Sequence, residues 1–416
     1  MTFGSLLDHF QPGRKIYLPG ATGEICALAN ALAADPERMD GVHIVSCLLP
    51  GMNTFDYAGL HPNARLTSFL FPTASRSSFE VGRVRILPLS YFAVARYLQS
   101  SGAPDVAIAH LAAPLPGEGR LASVGIAGDF TAIAWKAAKA RIAFVNPLMP
   151  AMPRGLRIDL DEADHVFEAE SPLVEVPPVA PNAVGNAIAL QFAELVPDGA
   201  SLQVGIGSAP AALWRALSSH RNLRLRSGLA SEELLELADK GALAADGHVV
   251  GILAGTKNFY HAVAERDLVR LSDTLETHDA RAIGQEPNFV AANSALSVDL
   301  FGQINLEWQG NRPVSGVGGA PDFASAALAS PGGRSITMLP ATARKGTISR
   351  IVTQLGTPTV SLPSHLADVV ISEHGVAMLR DASLDERAEA LIAIADPSFR
   401  DQLSIEWRGL RAKMGS

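Results

Sequence analysis

Short apolar runs alternate with longer segments of helical character along most of the chain. In the first half, the strand-like runs are residues 15–18, 42–49, 105–110 and 140–145. Alanine- and leucine-rich segments such as 25–33 and 130–140 separate these runs and are typical of helices. Because strands that alternate with helices build parallel sheets, the pattern predicts an α/β fold.

The second half repeats the arrangement that opens the first half. Residues 15–33 form a predicted strand, a glycine turn and a helix, and residues 202–217 follow the same order around Gly205 and Gly207. Between the halves lies a proline-rich segment, residues 176–181, which favours neither a helix nor a central strand. We therefore predict two tandem, similar, open parallel-sheet α/β/α domains, 1–180 and 181–416. Further strands of the second domain are predicted at 223–227, 289–291, 298–301, 335–339, 359–360 and 368–371.

Composition and charge describe a globular chain with room for sizeable cores. It has 416 residues, of which 48% are hydrophobic and 18% charged, and a formal net charge of −8. The negative charge and the absence of a Lys/Arg run argue against nucleic acid as the main partner. The sequence has no long uninterrupted apolar run and no basic, apolar leader at its start. We therefore expect no membrane partner and a cytoplasmic location.

Cys26 and Cys47 are the two cysteines of the sequence, and each lies within an apolar run. Two cysteines at this spacing provide neither a disulfide framework nor a set of metal ligands. We therefore expect buried thiols in a reducing compartment, and no metal ion.

Glycine is concentrated between residues 302 and 351, and this stretch gives the clearest indication of chemistry. Gly316, Gly318 and Gly319 leave backbone amides uncovered by side chains, and Lys345 adds a fixed positive charge. Amides and a cation near one another suit an anion, or an oxygen that becomes anionic during acyl transfer.

The order of the motifs in this stretch resembles the acetyl-CoA hydrolase/transferase family, which belongs to the class I CoA-transferases. The matching segments are GQINLE at 302–307, SGVGGAPDF at 315–323, PATARKGTIS at 340–349 and EHGVAMLR at 373–380. The resemblance covers almost the whole chain and implies domains of the CoA-transferase type. It also implies acyl-CoA and a carboxylic acid as small-molecule substrates, and we expect a homodimer. We expect the cleft between the domains to be lined by the turns at 20–24, 205–207 and 316–319.

The catalytic group that the resemblance implies is a glutamate. Members of this family transfer CoA through a glutamyl-CoA thioester, and the carboxylate nucleophile divides one difficult exchange into two easier steps. The resemblance aligns that glutamate with Gly228, in the segment RSGLASE at 226–232, and a glycine has no side chain to form the thioester. The residues that the resemblance implies for contact with CoA or the oxyanion are Gly205, Gly207, Gly316, Gly318, Gly319, Lys345 and Glu373.

Three functions remain open at this point. In the first, Glu24 or Glu307 replaces the missing glutamate of a CoA-transferase, because each lies in or beside a glycine-turn segment. In the second, a carboxylate activates water in the space beside Gly228, and the protein is an acyl-CoA hydrolase. In the third, the chain binds acyl-CoA without turnover. We predict the CoA-transferase, because the glycine turns, Lys345 and Glu373 are all retained.

Overall fold

Two parallel sheets dominate the structure, a computed structural model that describes residues 3–178, 180, 182–205 and 208–414. The strands of the first half are β1 (Lys15–Tyr17), β2 (His43–Val45), β3 (Arg65–Ser68), β4 (Val84–Ile86), β5 (Val106–Ala112), β6 (Leu121–Ser123), β7 (Ala140–Asn146), β8 (Arg157–Asp159) and β9 (His165–Glu168). The helices of this half are α1 (Phe3–Leu7), α2 (Cys26–Ala34), α3 (Arg76–Glu80), α4 (Tyr91–Leu98) and α5 (Thr131–Ala137). Seven strands form one sheet in the order β4-β3-β2-β1-β5-β7-β9, and each neighbouring pair is parallel.

The second half builds a larger sheet. Its strands are β10 (Ser201–Val204), β11 (Arg224–Ser231), β12 (Val249–Ala254), β13 (Arg270–Leu271), β14 (Phe289–Ser294), β15 (Ser297–Asp299), β16 (Ile304–Asn305), β17 (Trp308–Gln309), β18 (Arg312–Pro313), β19 (Arg334–Met338), β20 (Thr342–Ala343), β21 (Ile348–Ser349), β22 (Ile351–Val352), β23 (Val369–Ser372) and β24 (Gly375–Met378). Its helices are α6 (Ala183–Ala193), α7 (Ser208–Ala216), α8 (Glu233–Asp239), α9 (Lys257–Glu265), α10 (Thr274–Thr277), α11 (Ala280–Ile283), α12 (Ala320–Ala329), α13 (Leu384–Ala393) and α14 (Pro397–Met414). Eight strands form the sheet β13-β12-β11-β10-β14-β19-β23-β24, in which only the last pair is antiparallel.

The two sheets share one strand order. In each sheet, successive strands are added on one side of the first strand, and the later strands are then added on its other side. The strand order therefore reverses between β1 and β5 in the first sheet and between β10 and β14 in the second. This repetition confirms the predicted α/β fold with two similar open parallel-sheet domains. The predicted boundary at 180/181 falls between β9 and α6 and stays a prediction, because residues 179 and 181 lie outside the described residues.

Strand β11 is longer than the sequence predicted, because it continues past residue 227 and includes Gly228. Its register with β12 extends to the pair Ser231 and Ala254. Gly228 lies beside Gly251, where an added Cβ would be 2.8 Å from the Gly228 carbonyl oxygen. Two glycines therefore allow the strands to approach closely, and ladder hydrogen bonds outweigh the low strand preference of glycine.

The predicted strand at 359–360 is wrong, because these residues lie in a loop. The Thr359 Oγ1 atom accepts a hydrogen bond from the Trp308 indole N–H at 2.7 Å, and Val360 is exposed. Two consecutive β-branched residues do not form a strand unless a neighbouring strand pairs with them.

A loop of the first domain, residues 124–130, attaches to the edge of β12. The Gly128 N–H donates to the Gly251 carbonyl at 2.8 Å, and the Leu253 N–H donates to the Ile126 carbonyl at 2.8 Å. Strand β13 pairs only with residues 249 and 250 of β12, so the remaining edge is available to this loop. The attachment holds the first domain against the strand pair that contains Gly228.

Asp129 is a buried carboxyl group in this loop. It is 5% exposed, and its Oδ1 atom has no hydrogen-bond partner among the described residues. Burial raises the pKa of Asp129 to about 7. The unfolded chain releases this proton near pH 4. The carboxyl group therefore lowers the free energy of unfolding as the pH rises from about 4 to about 7.

Replacing Asp129 with asparagine should raise the free energy of unfolding by about 2–4 kcal/mol at pH 8 and by less at pH 4.5, because the neutral amide never buries a charge. Urea unfolding at the two pH values measures the difference. Asp105→Asn is a control of opposite sign, because the hydrogen bond from Lys139 lowers the pKa of Asp105 and its carboxylate stabilises the fold above pH 4. A gain for Asp129→Asn that does not grow with pH contradicts the prediction.

Candidate active site

A cleft of about 280 Å³ opens at the carboxyl ends of β10 and β14, where the strand order of the second sheet restarts. This is the position at which open α/β sheets bind ligands. The first domain contributes Leu49, Pro50, Leu70 and Tyr91 to the wall, and the second domain contributes the rest. The cleft is therefore complete only when the two domains are together.

The glycine turn at 315–319 lines this cleft and carries free backbone amides. The N–H groups of residues 316–319 donate no hydrogen bond to any described residue. The carbonyls of Ser315 and Gly318 accept from the N–H groups of Phe71 and Tyr91, at 3.3 and 3.1 Å, and so fix the turn against the first domain. Helix α12 begins directly after the turn, and its N-terminus adds positive potential. The arrangement is suited to stabilising an oxyanion.

Two glycines of this turn have no space for a side chain. A Cβ at Gly316 would lie 2.6 Å from the Phe69 carbonyl oxygen, and a Cβ at Gly319 would lie 2.4 Å from the His278 Nε2 atom. Glycine is therefore required here by the close approach of neighbouring groups.

Two further glycines belong to the turn that the sequence predicts after β10. Gly205 lines the cleft, and its N–H donates to the Ala292 carbonyl at 3.0 Å. Gly207, predicted to contact CoA, lies outside the described residues.

Gly228 also lines the cleft, and the nearest side chain to its missing Cβ belongs to His278. A Cβ at Gly228 would lie 3.0 Å from both the Cε1 and the Nε2 atoms of His278. Among the lining residues that the structure describes, none carries a carboxylate. The site therefore presents an imidazole beside the position that the family resemblance assigns to a glutamate.

His278 follows α10 and is held between two aromatic rings. Its ring centroid lies 5.2 Å from that of Tyr91 and 4.5 Å from that of Phe323. Burial lowers the pKa of His278 to about 3, so the imidazole is neutral at physiological pH. A neutral imidazole offers one donor and one acceptor to its surroundings.

Glu24 does not line the cleft, although the sequence predicts that its turn does. The loop after β2 covers this turn, and Asn53 from that loop donates to the Glu24 Oε2 atom at 3.0 Å. The Tyr57 hydroxyl donates to the Oε1 atom at 3.1 Å. Burial raises the pKa of Glu24, and these two hydrogen bonds oppose the rise. Leu49 and Pro50 of the covering loop reach the cleft instead.

Glu307 is also buried and lies one residue beyond the cleft wall. Its neighbour Leu306 lines the cleft, and the Ser315 N–H donates to the Glu307 carbonyl at 3.4 Å. The Ser361 hydroxyl donates to the Glu307 Oε2 atom at 2.6 Å. Burial raises the pKa of Glu307 against this hydrogen bond. The structure thus brings Glu307 close to the glycine turn without exposing its carboxylate there.

Lys345 and Glu373 are not among the residues that line the cleft. Lys345 is exposed in the hairpin between β20 and β21. Glu373 accepts a hydrogen bond from the Ala341 N–H at 2.7 Å, which fixes the start of the same segment. A second cavity of about 860 Å³ lies on this side of the molecule and is lined by Arg312, Arg344 and Arg350.

His278 and Tyr91 are cleft residues that the sequence did not reveal. Each lies in a segment with no glycine turn or repeated motif, about 50 residues or more from Gly228 in the chain. Their approach depends on the packing of α10 and α4 against the strands, which local pattern does not encode. No signal within a single sequence identifies them.

Neither a metal site nor a membrane-spanning helix is found among the described residues. Within the residues that the structure describes, no group of three or more histidine, cysteine, aspartate or glutamate side chains is arranged to hold a metal ion. No described helix is both long enough and apolar enough to cross a membrane.

The fold and the cleft together define a two-domain α/β protein whose interdomain site suits a substrate with an oxygen that becomes anionic. Residues 255–407 match the family model described as the acetyl-CoA hydrolase/transferase C-terminal domain. The chain is 33% identical to the 4-hydroxybutyrate coenzyme A transferase of Clostridium kluyveri over 403 residues, which are 95% of this chain and 94% of that protein. The chain belongs to the acetyl-CoA hydrolase/transferase family of CoA-transferases.

Other relatives agree with this membership. The succinyl-CoA:cyclohexane-1-carboxylate CoA transferase of Geobacter metallireducens is 32% identical over 404 residues, 94% of this chain and 91% of that protein. The crystal structure of RipA from Yersinia pestis superposes with a TM-score of 0.88 and 25% identity, over 99% of this chain and 100% of that chain. The 4-hydroxybutyrate CoA-transferase of Porphyromonas gingivalis superposes with a TM-score of 0.80 and 27% identity, over 98% of this chain and 96% of that chain.

Proposed function

We propose that this protein is a CoA-transferase that moves CoA between an acyl-CoA and a carboxylic acid in the interdomain cleft. The observation that carries the proposal is the turn at 315–319, where the N–H groups of four successive residues have no partner among the described residues. Acyl exchange passes through a tetrahedral oxyanion, and preorganised amides stabilise that charge. The names of the two relatives that match along nearly their whole length belong to the same reaction class.

The cavity beside the cleft is suited to the nucleotide end of CoA. Consecutive residues line the two spaces, since Asn305 lines the cavity and Leu306 lines the cleft. Guanidinium groups of Arg312 and Arg344 on its wall are good ligands for phosphates. The Trp308 indole on the same wall offers a stacking surface for adenine. We therefore assign the thioester end of acyl-CoA to the cleft and its phosphates to this cavity, with Lys345 as a further cation nearby.

The size of the cleft favours a short acyl group. Its volume of about 280 Å³ is bounded by Leu49, Leu70, Ile252 and Phe323, which give an apolar wall. An acyl chain of a few carbons fits such a space together with the pantetheine sulfur. The homodimer and the cytoplasmic location stay predictions.

Glu307 is the better candidate for the carboxylate nucleophile. One side-chain donor, Ser361, holds its carboxylate, whereas Asn53 and Tyr57 hold that of Glu24. Fewer hydrogen bonds have to break before Glu307 turns toward the thioester, and its backbone already contacts the glycine turn. A carboxylate that attacks acyl-CoA gives an enzyme-bound thioester once CoA has returned to it.

Glu307→Gln is expected to lower CoA exchange by about 100-fold or more, because the amide leaves no carboxylate nucleophile. The assay follows label from acyl-CoA into an added short carboxylic acid, and mass spectrometry after borohydride treatment locates the trapped glutamate. Glu24→Gln is the matched control and should retain exchange. Trapping on Glu24 reverses the assignment of the nucleophile. The absence of label transfer across a panel of short acids contradicts the proposed function itself.

A further inference from the structure

The space beside Gly228 faces an imidazole nitrogen. The His278 Nε2 atom lies 3.0 Å from the position of a Cβ at Gly228 and 2.4 Å from that of a Cβ at Gly319. It therefore lies between the strand that lacks the family glutamate and the turn that carries the free amides. His278 lines the cleft, although only 2% of the residue is exposed.

The contacts of Thr277 allow this imidazole to carry its proton on the Nδ1 atom. The Thr277 hydroxyl donates its single hydrogen to the Asp273 carbonyl at 3.1 Å. With the hydroxyl hydrogen directed there, the Thr277 Oγ1 atom can accept a hydrogen bond from an Nδ1–H group of His278 at 2.8 Å. In this tautomer the Nε2 atom carries a lone pair, and Nε2 has no hydrogen-bond partner among the described residues.

A lone pair on Nε2 favours a nucleophile that can donate a hydrogen bond to it. A water molecule donates a hydrogen bond to Nε2 and directs an oxygen lone pair toward a carbonyl held at the amides of residues 316–319. A carboxylate has no proton to donate, so it gains nothing from the same contact. The geometry is therefore that of a base beside an oxyanion site, which is the arrangement that hydrolysis of an acyl group requires.

We propose that His278 is the general base of an acyl-CoA hydrolase activity in this cleft, with water as the nucleophile. The inference rests on the proposed function in one respect, that the cleft binds the acyl-CoA thioester. It assigns a second reaction to the site, in competition with transfer to a carboxylic acid.

The reaction balances without any further reactant. The water oxygen forms a bond to the thioester carbon, its proton passes to His278 Nε2, and the carbonyl oxygen becomes an oxyanion at the glycine amides. The oxyanion re-forms the carbonyl, the carbon–sulfur bond breaks, and the departing CoA thiolate takes the proton back from Nε2. The products are free CoA and a carboxylic acid, which ionises in water.

His278→Gln is expected to lower hydrolysis by about 10-fold or more, which is less than a base with a near-neutral pKa contributes, because burial lowers the pKa of His278 to about 3. Purified protein is incubated with acetyl-CoA in a buffer free of carboxylic acids, and the release of free thiol is followed. Calorimetry with CoA should give a dissociation constant within about 3-fold of wild type, because the glutamine touches no part of the nucleotide. The matched control is His365→Gln, which changes an exposed histidine that does not line the cleft.

Three readouts separate a base from a residue that only packs. Imidazole in the buffer should restore part of the hydrolysis to His278→Ala, and deuterium oxide should slow the wild-type reaction by about 2-fold because a proton moves in the transition state. Thr277→Val keeps the shape of the side chain but removes the acceptor of the Nδ1–H group, and it should lower hydrolysis by about 10-fold. Thr277→Val also provides the test if the His278 variants fail to fold.

The outcomes distinguish this inference from the proposed function. Thiol release that survives His278→Gln, or that never occurs in wild type although label passes to an added acid, overturns the role of His278 and leaves the transferase standing. Acyl-CoA that does not bind at all overturns both. Thiol release that depends on His278 without transfer to any acid supports the hydrolase and removes the transferase.

Discussion

A chain with Gly228→Glu and His278→Asn together should form a glutamyl-CoA thioester at residue 228. Gly228 lies within β11 and does not have a positive φ, so its backbone accepts a side chain. A Cβ there would be only 3.0 Å from the His278 ring, and asparagine at 278 makes room for the carboxylate. The new carboxylate would then face the free amides of the turn at 315–319, the position from which it can attack a thioester held there.

The expected result is a covalent adduct and about 100-fold faster exchange than in wild type, equivalent to about 2.7 kcal/mol of barrier. Mass spectrometry after incubation with acyl-CoA alone detects CoA on the peptide that contains residue 228. Gly228→Gln with His278→Asn is the matched control and should form no adduct, because an amide is not a nucleophile.

The single variant Gly228→Glu tests whether the His278 imidazole occupies the volume that the glutamate side chain needs. Gly228→Glu alone should form less adduct and unfold at a lower temperature, because the imidazole and the new side chain compete for one volume. If Gly228→Glu alone forms the adduct as fully as the double variant, the imidazole does not occupy the glutamate position. If neither forms it, the alignment of residue 228 with the family nucleophile is wrong.

Gly319→Ala is expected to lower both CoA transfer and thiol release by about 100-fold to 1,000-fold, the cost typical of damage to an oxyanion site. The backbone of Gly319, at φ −87°, accepts alanine, so the effect comes from contact and not from backbone strain. The added Cβ would lie 2.4 Å from His278 Nε2 and 2.5 Å from its Cδ2 atom. Either the imidazole or the turn must move, and both belong to the site.

Steady-state rates with acetyl-CoA, measured with and without an acceptor acid, test this prediction. Gly409→Ala is the control, because a Cβ there meets no atom within 4 Å and alanine favours the α14 helix. The control should keep full activity and gain about 0.5–1 kcal/mol of stability. Rates for Gly319→Ala within about 3-fold of wild type would show that the turn is not the oxyanion site.

The sequence by itself determined the architecture and one wall of the site. The alternation of apolar runs and helical segments is a local property, and strands between helices have few ways to pack other than in parallel sheets. The repeat of strand, glycine turn and helix therefore predicted two similar domains. The glycines at 316, 318 and 319 were found for the same reason, because turns with close backbone contacts require glycine wherever the rest of the chain lies.

The tertiary structure decided what faces the cleft. The pattern around Gly228 ended a predicted strand, yet pairing with β12 extends β11 through it. Glu24 turned inward because the loop after β2 covers its turn, and His278 reached Gly228 from 50 residues away because α10 packs against the strands. Contacts between distant segments depend on the whole fold, whereas a residue pattern records only the preferences of its own segment. That is why the turns and strands were visible in the sequence and the imidazole beside Gly228 was not.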